Sequence, residues 1–215
     1  DRLLEDHRLE IEAISGSSAG AVNAAAVAYG LHKNGAKGAR ETLDLLWTWI
    51  SAAGELYSPV TAGPFPMTSP VANMASAFSY QLFDAMTRTF SPYQFNPFDV
   101  NPLRRILKGC IDFESLQNCK ATKLFIAATN VRSGKVHVFE TKDMTTDVVC
   151  ASACLPFLFK AVTIDGEDYW DGGYMGNPVL FPFFYEAATS DIVIVHVNPI
   201  ERDETPVTAA EIMNR

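Results

Sequence analysis

The chain has 215 residues, 48% apolar and 20% charged, enough for one domain with a substantial core, which argues against disorder, a fibrous repeat or two independently folded domains. Its 25 acidic residues against 17 basic ones give a formal charge of −8, and no stretch concentrates Lys and Arg, so nucleic acid is not an expected partner. Cys110, Cys119, Cys150 and Cys154 are too sparse for a disulfide scaffold and lack zinc-site spacing, so free thiols in a reducing, cytoplasmic setting are expected, with no metal and no cofactor.

Arg2 to His7 reads as the last turns of an amphipathic helix, and Thr208 to Arg215 stops inside a helical pattern. The chain is therefore expected to be a piece of a longer polypeptide, a single domain over residues 1–215 cut at both ends. Leu9 to Ile14 reads as a strand breaking into the small-residue turn Ser15-Gly16-Ser17-Ser18-Ala19-Gly20, followed by a helix from Ala21 to Gly30. Arg40 to Ala53 carries Leu43, Leu46, Trp47 and Ile50 at helical spacing, a stripe that reads as core. Tyr57 to Phe98 is an aromatic and Pro-rich insertion whose charged residues are Asp84 and Arg88. Leu124 to Ala128 and Lys135 to Phe139 read as strands around a Ser133-Gly134 turn, and Val162 to Ile164 and Asp168 to Trp170 flank an Asp165-Gly166 hairpin signal. Asp191 to Val197 reads as a buried strand. Strands alternating with helices predict an α/β architecture with a largely parallel central sheet. No apolar run reaches the roughly 18 residues of a membrane-spanning helix.

Gly16-Ser17-Ser18-Ala19-Gly20 matches the G-x-S-x-G nucleophile elbow, in which a sharp strand-to-helix turn lifts the serine Oγ above the sheet. The glycines leave room where the strand and helix backbones nearly collide, so Ser18 can hold a strained conformation. A random chain of this length contains the pattern on the order of one time in fifteen, so context decides: an apolar-patterned strand precedes it and an Ala-rich helix follows it. The bland alternative is a serine that caps a helix. The elbow also aims the first N–H groups of that helix, Ala19 among them, at a developing oxyanion.

A nucleophilic serine needs a base. The order Ser18, Asp171, His196 superficially fits an α/β-hydrolase triad, yet that fold places several strands before its elbow and this chain has one. His196 lies in an apolar strand pattern, where an interior or strand-end imidazole is the simpler reading, and His7, His32 and His137 have no flanking catalytic pattern. The carboxylate alternative is Asp171, at the end of the aromatic run Tyr169-Trp170 and just before Gly172 and Gly173. An isolated Asp-Gly is usually a turn.

Taken together, the early G-x-S-x-G and the late D-G-G resemble the patatin-like phospholipase family. Ala151 to Phe159 is similar to the small-residue helix and Pro turn of that family, and Gly176-Asn177-Pro178 also looks familial. The resemblance spans about Leu3 to Asn198, without the segment from Tyr57 to Phe98. It implies a three-layer α/β/α sandwich and a serine–aspartate dyad without histidine, with Ser18 the nucleophile and Asp171 the base, Gly16, Ala19 and Gly20 shaping the elbow and oxyanion site, and Gly172 and Gly173 supporting the aspartate. It implies a lipid acyl hydrolase of phospholipase A or lysophospholipase type, acting through an acyl-enzyme. The family also carries a Gly-rich oxyanion loop before the elbow, and no glycine precedes Ser15 here. Either that loop lies in sequence N-terminal to the chain or the chain lacks it, which would make turnover fall steeply; the first is expected, since the chain begins inside a helical pattern that would follow such a loop.

Within the charge-poor insertion, Phe65, Met67, Met74, Phe78, Phe83 and Met86 are candidates to line an acyl channel or form a lid at a lipid surface, against a plain core-completing role. The negative charge disfavours attachment to anionic lipid, so membrane contact is expected to be peripheral and transient. Two rivals remain: an acyltransferase using the same acyl-enzyme, and a non-catalytic lipid-binding module.

Overall fold

A computed structural model describes residues 2–6, 9–57, 87, 89–196, 205 and 207. In chain order the described elements are α1 (Arg2–Glu5), β1 (Ala13–Gly16), α2 (Ala19–Tyr57), α3 (Pro92–Phe95), α4 (Pro102–Cys110), α5 (Phe113–Gln117), β2 (Lys123–Asn130), β3 (Val136–Glu140), α6 (Thr146–Ser152), β4 (Val162–Ile164), β5 (Glu167–Asp171) and α7 (Phe181–Glu186), with short 3₁₀ turns at Thr141–Asp143 and Gly172–Tyr174.

The helix that follows the elbow is built for close approach. Ala21, Ala24, Ala25, Ala26 and Ala28 are buried on α2, and their small side chains let the helix axis lie near the sheet. Asn34 and Gly35 break the helical backbone, Gly35 at φ 57° and ψ −149°, a conformation open essentially to glycine alone. The two arms then fold against each other. A Cβ on Gly30 would overlap the Ala39 backbone, and one on Gly38 would overlap the Gly30 carbonyl oxygen. Trp47 Nε1 donates to Asn23 Oδ1 at 2.8 Å and ties the second arm to the first. Trp47 is therefore a half-exposed brace between arms rather than the core residue its spacing predicts, while Leu46 is fully buried.

β2 is the centre of the sheet. It pairs parallel with β1 over residues 123–126 and antiparallel with β5 over residues 128–130. Antiparallel β3 pairs with residues 125–129, overlapping both of those registers. A strand has two edges, so β3 occupies one and β1 and β5 must share the other. The parallel character expected of the sheet is present at β1–β2, the pair that carries the elbow. The other described ladders are antiparallel: short hairpins join β2 to β3 and β4 to β5, while β5 reaches β2 after a long excursion through β3, α6 and β4. At Asp165 and Gly166, φ values of 50° and 80° make the primed hairpin turn that links β4 to β5.

Side chains alternate along β2. Leu124, Ile126 and Ala128 join the core formed with α2, α4, α5 and α6, while Phe125 meets Phe183 of α7 edge-on, with ring centroids 6.1 Å apart. Helices thus lie on both faces of a mixed sheet, the α/β/α layering expected from the sequence. Residues 191–196 depart from expectation: they form no strand, and Val193 and Val195 are exposed. An apolar run becomes a buried strand only where a neighbour supplies a ladder, and among the described residues none pairs with it. The expectations for His7, Val197 and Thr208 to Arg215 fall outside the described residues.

Candidate active site

The geometry of the site follows from the shared edge of β2. Running parallel to β2, β1 ends at Gly16 opposite Ile126, and β5, running the other way, ends at Asp171 opposite Ala128. The two strand ends therefore point at each other across the single position Ala127. The chain leaving β1 as Ser17-Ser18 and the chain leaving β5 as Gly172-Gly173 meet there.

Ser18 sits at φ 55°, the left-handed region that costs a residue with a Cβ about 1–2 kcal/mol. Gly16 makes this turn sterically feasible, since a Cβ there would lie 2.5 Å from the Gly20 carbonyl oxygen. The Ser18 N–H donates to both the carbonyl oxygen and the Oγ of Ser152, each at 3.1 Å. The Ser18 carbonyl accepts from Ala21 and Val22 at 3.0 and 3.3 Å, opening α2 directly behind the turn. Ala19, exposed and first in α2, presents an N–H that has no acceptor within the helix. Alongside the turn, Ser15 Oγ donates to the Val179 carbonyl at 2.7 Å and Ser17 Oγ to Asn177 Oδ1 at 3.2 Å.

Asp171 is held from three sides. Its N–H donates to the Cys154 carbonyl at 2.9 Å, its carbonyl accepts from Thr129 Oγ1 at 2.8 Å, and its Oδ1 accepts from the Gly173 N–H at 2.7 Å. Oδ2 is buried and has no hydrogen-bond partner among the described residues. Burial raises the pKa of the carboxyl above its ordinary value, while the adjoining Ser18 hydroxyl and the Gly173 N–H draw it partly back. Ser18 lies close enough to the carboxyl for its hydroxyl to draw the Asp171 pKa down, while Oδ2 stays buried without a hydrogen bond among the described residues. Burial, then the nearby Asp171 charge, pushes the Cys154 thiol up to about 12, so this sulfur stays protonated and donates to the Lys160 carbonyl at 3.0 Å.

Gly16, Ser18, Ala19, Gly20, Asp171, Gly172 and Gly173 thus converge. Gly172 is sterically required, because a Cβ would press into the Ala127 carbonyl and lie 3.1 Å from Ser17 Cβ. His137 stacks with Phe139 and Tyr169, at 4.5 and 5.6 Å between centroids. His196 ends the exposed run described above. Phe65, Met67, Met74, Phe78, Phe83 and Met86 lie outside the described residues. Sequence reasoning missed Ser152, Thr129 and Asn177 as parts of the site. For Ser152 the available signal was a hydroxyl inside the otherwise apolar run Val148 to Ala153.

Apolar side chains are exposed on the two segments that flank the site: Leu155 and Phe157 after α6, Tyr174 and Met175 after Asp171.

Layering and element order define an α/β sandwich protein with a mixed sheet, in which a strained serine sits between strand and helix. The chain belongs to the patatin-like phospholipase family, whose model matches residues 1–184. Members of that family are lipid hydrolases. None of the curated proteins compared with the chain matches it.

Proposed function

We propose that the protein is a serine lipid acyl hydrolase that cleaves carboxylic esters of phospholipids or lysophospholipids through a Ser18–Asp171 dyad. The observation that carries this reading is the head-on meeting of β1 and β5 on one edge of β2, which puts a strained serine against a buried, incompletely hydrogen-bonded carboxylate. Asp171 accepts the Ser18 proton as Oγ attacks the ester carbonyl carbon. The tetrahedral intermediate collapses, the alcohol leaves with the proton held by Asp171, and an acyl-serine remains. Water, deprotonated in turn by Asp171, attacks the acyl carbon, and as the acyl–Oγ bond breaks Asp171 returns that proton to Ser18 Oγ and the fatty acid is released. An ordinary aspartate is a weak base for a hydroxyl. The burial that raises the Asp171 pKa moves it in the direction this task requires, and the Ala19 N–H supplies one oxyanion donor. Exposed Phe157, Tyr174 and Met175 favour a lipid substrate met at an interface, with peripheral membrane contact.

The test is labelling of the full-length protein with a long-chain fluorophosphonate. The wild type is expected to label, Ser18→Ala not at all, and Asp171→Asn on the order of 10²- to 10⁴-fold more slowly. Undiminished labelling in both variants would overturn the dyad. Diversion of product from free acid to an added alcohol would redirect the reading to acyl transfer.

A further inference from the structure

We propose that Ser152 is a positioning residue for the reaction, a buried hydroxyl that holds the nucleophile's backbone in register with the strand end carrying the base. The inference rests on Ser18 being the nucleophile. Where β1 and β5 stop short of each other, β2 has one residue, Ala127, that neither of them pairs, and a buried carbonyl left at such a gap needs another donor. Ser152 is fully buried at the end of α6, and its Oγ–H donates to the Ala127 carbonyl at 2.6 Å.

The same oxygen accepts the Ser18 N–H at 3.1 Å. One hydroxyl therefore links the central strand to the amide of a residue in left-handed backbone. Gly172 rests on that same Ala127 carbonyl, so Ala127 is a shared reference for the chain leaving β1 and the chain leaving β5. The donor–acceptor chain is directional, from the Ser18 amide to the Ser152 oxygen and from the Ser152 hydroxyl to Ala127, and each bond strengthens the next. An alanine at 152 removes both links, leaves the Ala127 carbonyl without this donor in a dry site, and leaves the Ser18 amide only the Ser152 carbonyl. The left-handed turn then loses part of what over-determines it, and a misplaced nucleophile reacts more slowly without binding substrate less well.

The experiment compares wild type, Ser152→Ala, Ser152→Cys and Ser18→Ala in fluorophosphonate labelling and in hydrolysis of a monomeric ester, with thermal unfolding of each. Cysteine nearly preserves volume but is a poor hydrogen-bond donor and acceptor. Both Ser152 variants are expected to fold, to label on the order of 10-fold more slowly and to lose kcat with KM unchanged, as roughly one lost hydrogen bond in the reacting geometry would give. Either variant folding and labelling at the wild-type rate would overturn the proposal. So would failure of both to fold, which would assign Ser152 to structure alone. Failure of the dyad reading is read separately, from wild type and Ser18→Ala labelling alike; in that case the positioning role falls with it.

Discussion

Gly16 and Gly20 flank the same serine, yet the fold uses them differently. A Cβ on Gly16 would stand 2.5 Å from the Gly20 carbonyl oxygen and 2.8 Å from the Ala21 nitrogen, both backbone atoms that cannot move without opening the turn, whereas a Cβ on Gly20 would have nothing within 4 Å. Gly16→Ala is therefore expected to destabilise by about 1–3 kcal/mol, the usual cost of overpacking, and to slow fluorophosphonate labelling. Gly20→Ala, in the first turn of α2, should be neutral or stabilise by up to about 1 kcal/mol, since alanine loses less backbone entropy in a helix. Chemical denaturation of the two variants separates these outcomes, and equal loss in both would show that the close approach at Gly16 is not what shapes the elbow. The motif was legible in the sequence; its internal asymmetry was not, because a pattern records which residues are small and says nothing of which one faces a backbone.

At the scale of elements, local chemistry was legible wherever it fixes the backbone directly. Asp165-Gly166 makes the expected primed turn, and Ala21 to Gly30 and Arg40 to Ala53 are helical as their spacing predicts. What escaped is pairing. Alternation identifies a strand but not its neighbour, so the sharing of one β2 edge by β1 and β5, which creates the site, could not be read from either strand. The same limit explains residues 191–196, apolar enough for a strand but without a described ladder. Gly35 offers a test of how far a single backbone position governs an element: at φ 57° and ψ −149° it occupies space that a Cβ makes costly by about 1–3 kcal/mol. A Cβ there would touch nothing within 4 Å, so the cost is conformational rather than steric crowding. Gly35→Ala is expected to lower the thermal midpoint by a few degrees while leaving fluorophosphonate labelling at 25 °C unchanged, because the break lies at the far end of the first arm from Ser18. A variant as stable as wild type would mean that the arms are joined by their packing at Gly30 and Gly38 alone.

For the whole molecule, two carboxylates pull stability in opposite directions with pH. Glu12, just before β1, accepts the Ala188 N–H at 2.8 Å and the Thr189 N–H at 3.0 Å, joining the start of the described sheet to the segment after α7. The Ala188 and then the Thr189 hydrogen bond hold its pKa below the ordinary 4.5, so folding gains stability that is present above that value and is lost as pH falls through the lower folded value. Asp171 behaves in reverse. Its burial raises the folded pKa above the ordinary 3.8, so the native state holds this proton more tightly than the unfolded chain. That contribution is complete below 3.8 and is lost as pH rises through the folded pKa, leaving a buried charge as a cost at neutral pH. Asp171→Asn, which keeps an oxygen for the Gly173 N–H, should therefore unfold a few degrees above wild type at pH 7, with the gap closing as the pH approaches 3.8. Glu12→Gln should unfold below wild type at neutral pH, and that gap should close on acidification instead. Thermal midpoints of the three proteins between neutral and acidic pH decide it. Asp171→Asn no more stable than wild type at pH 7 would mean the carboxylate is solvated well enough to carry its charge freely, and a base so solvated would lack the raised pKa on which proton transfer from Ser18 depends.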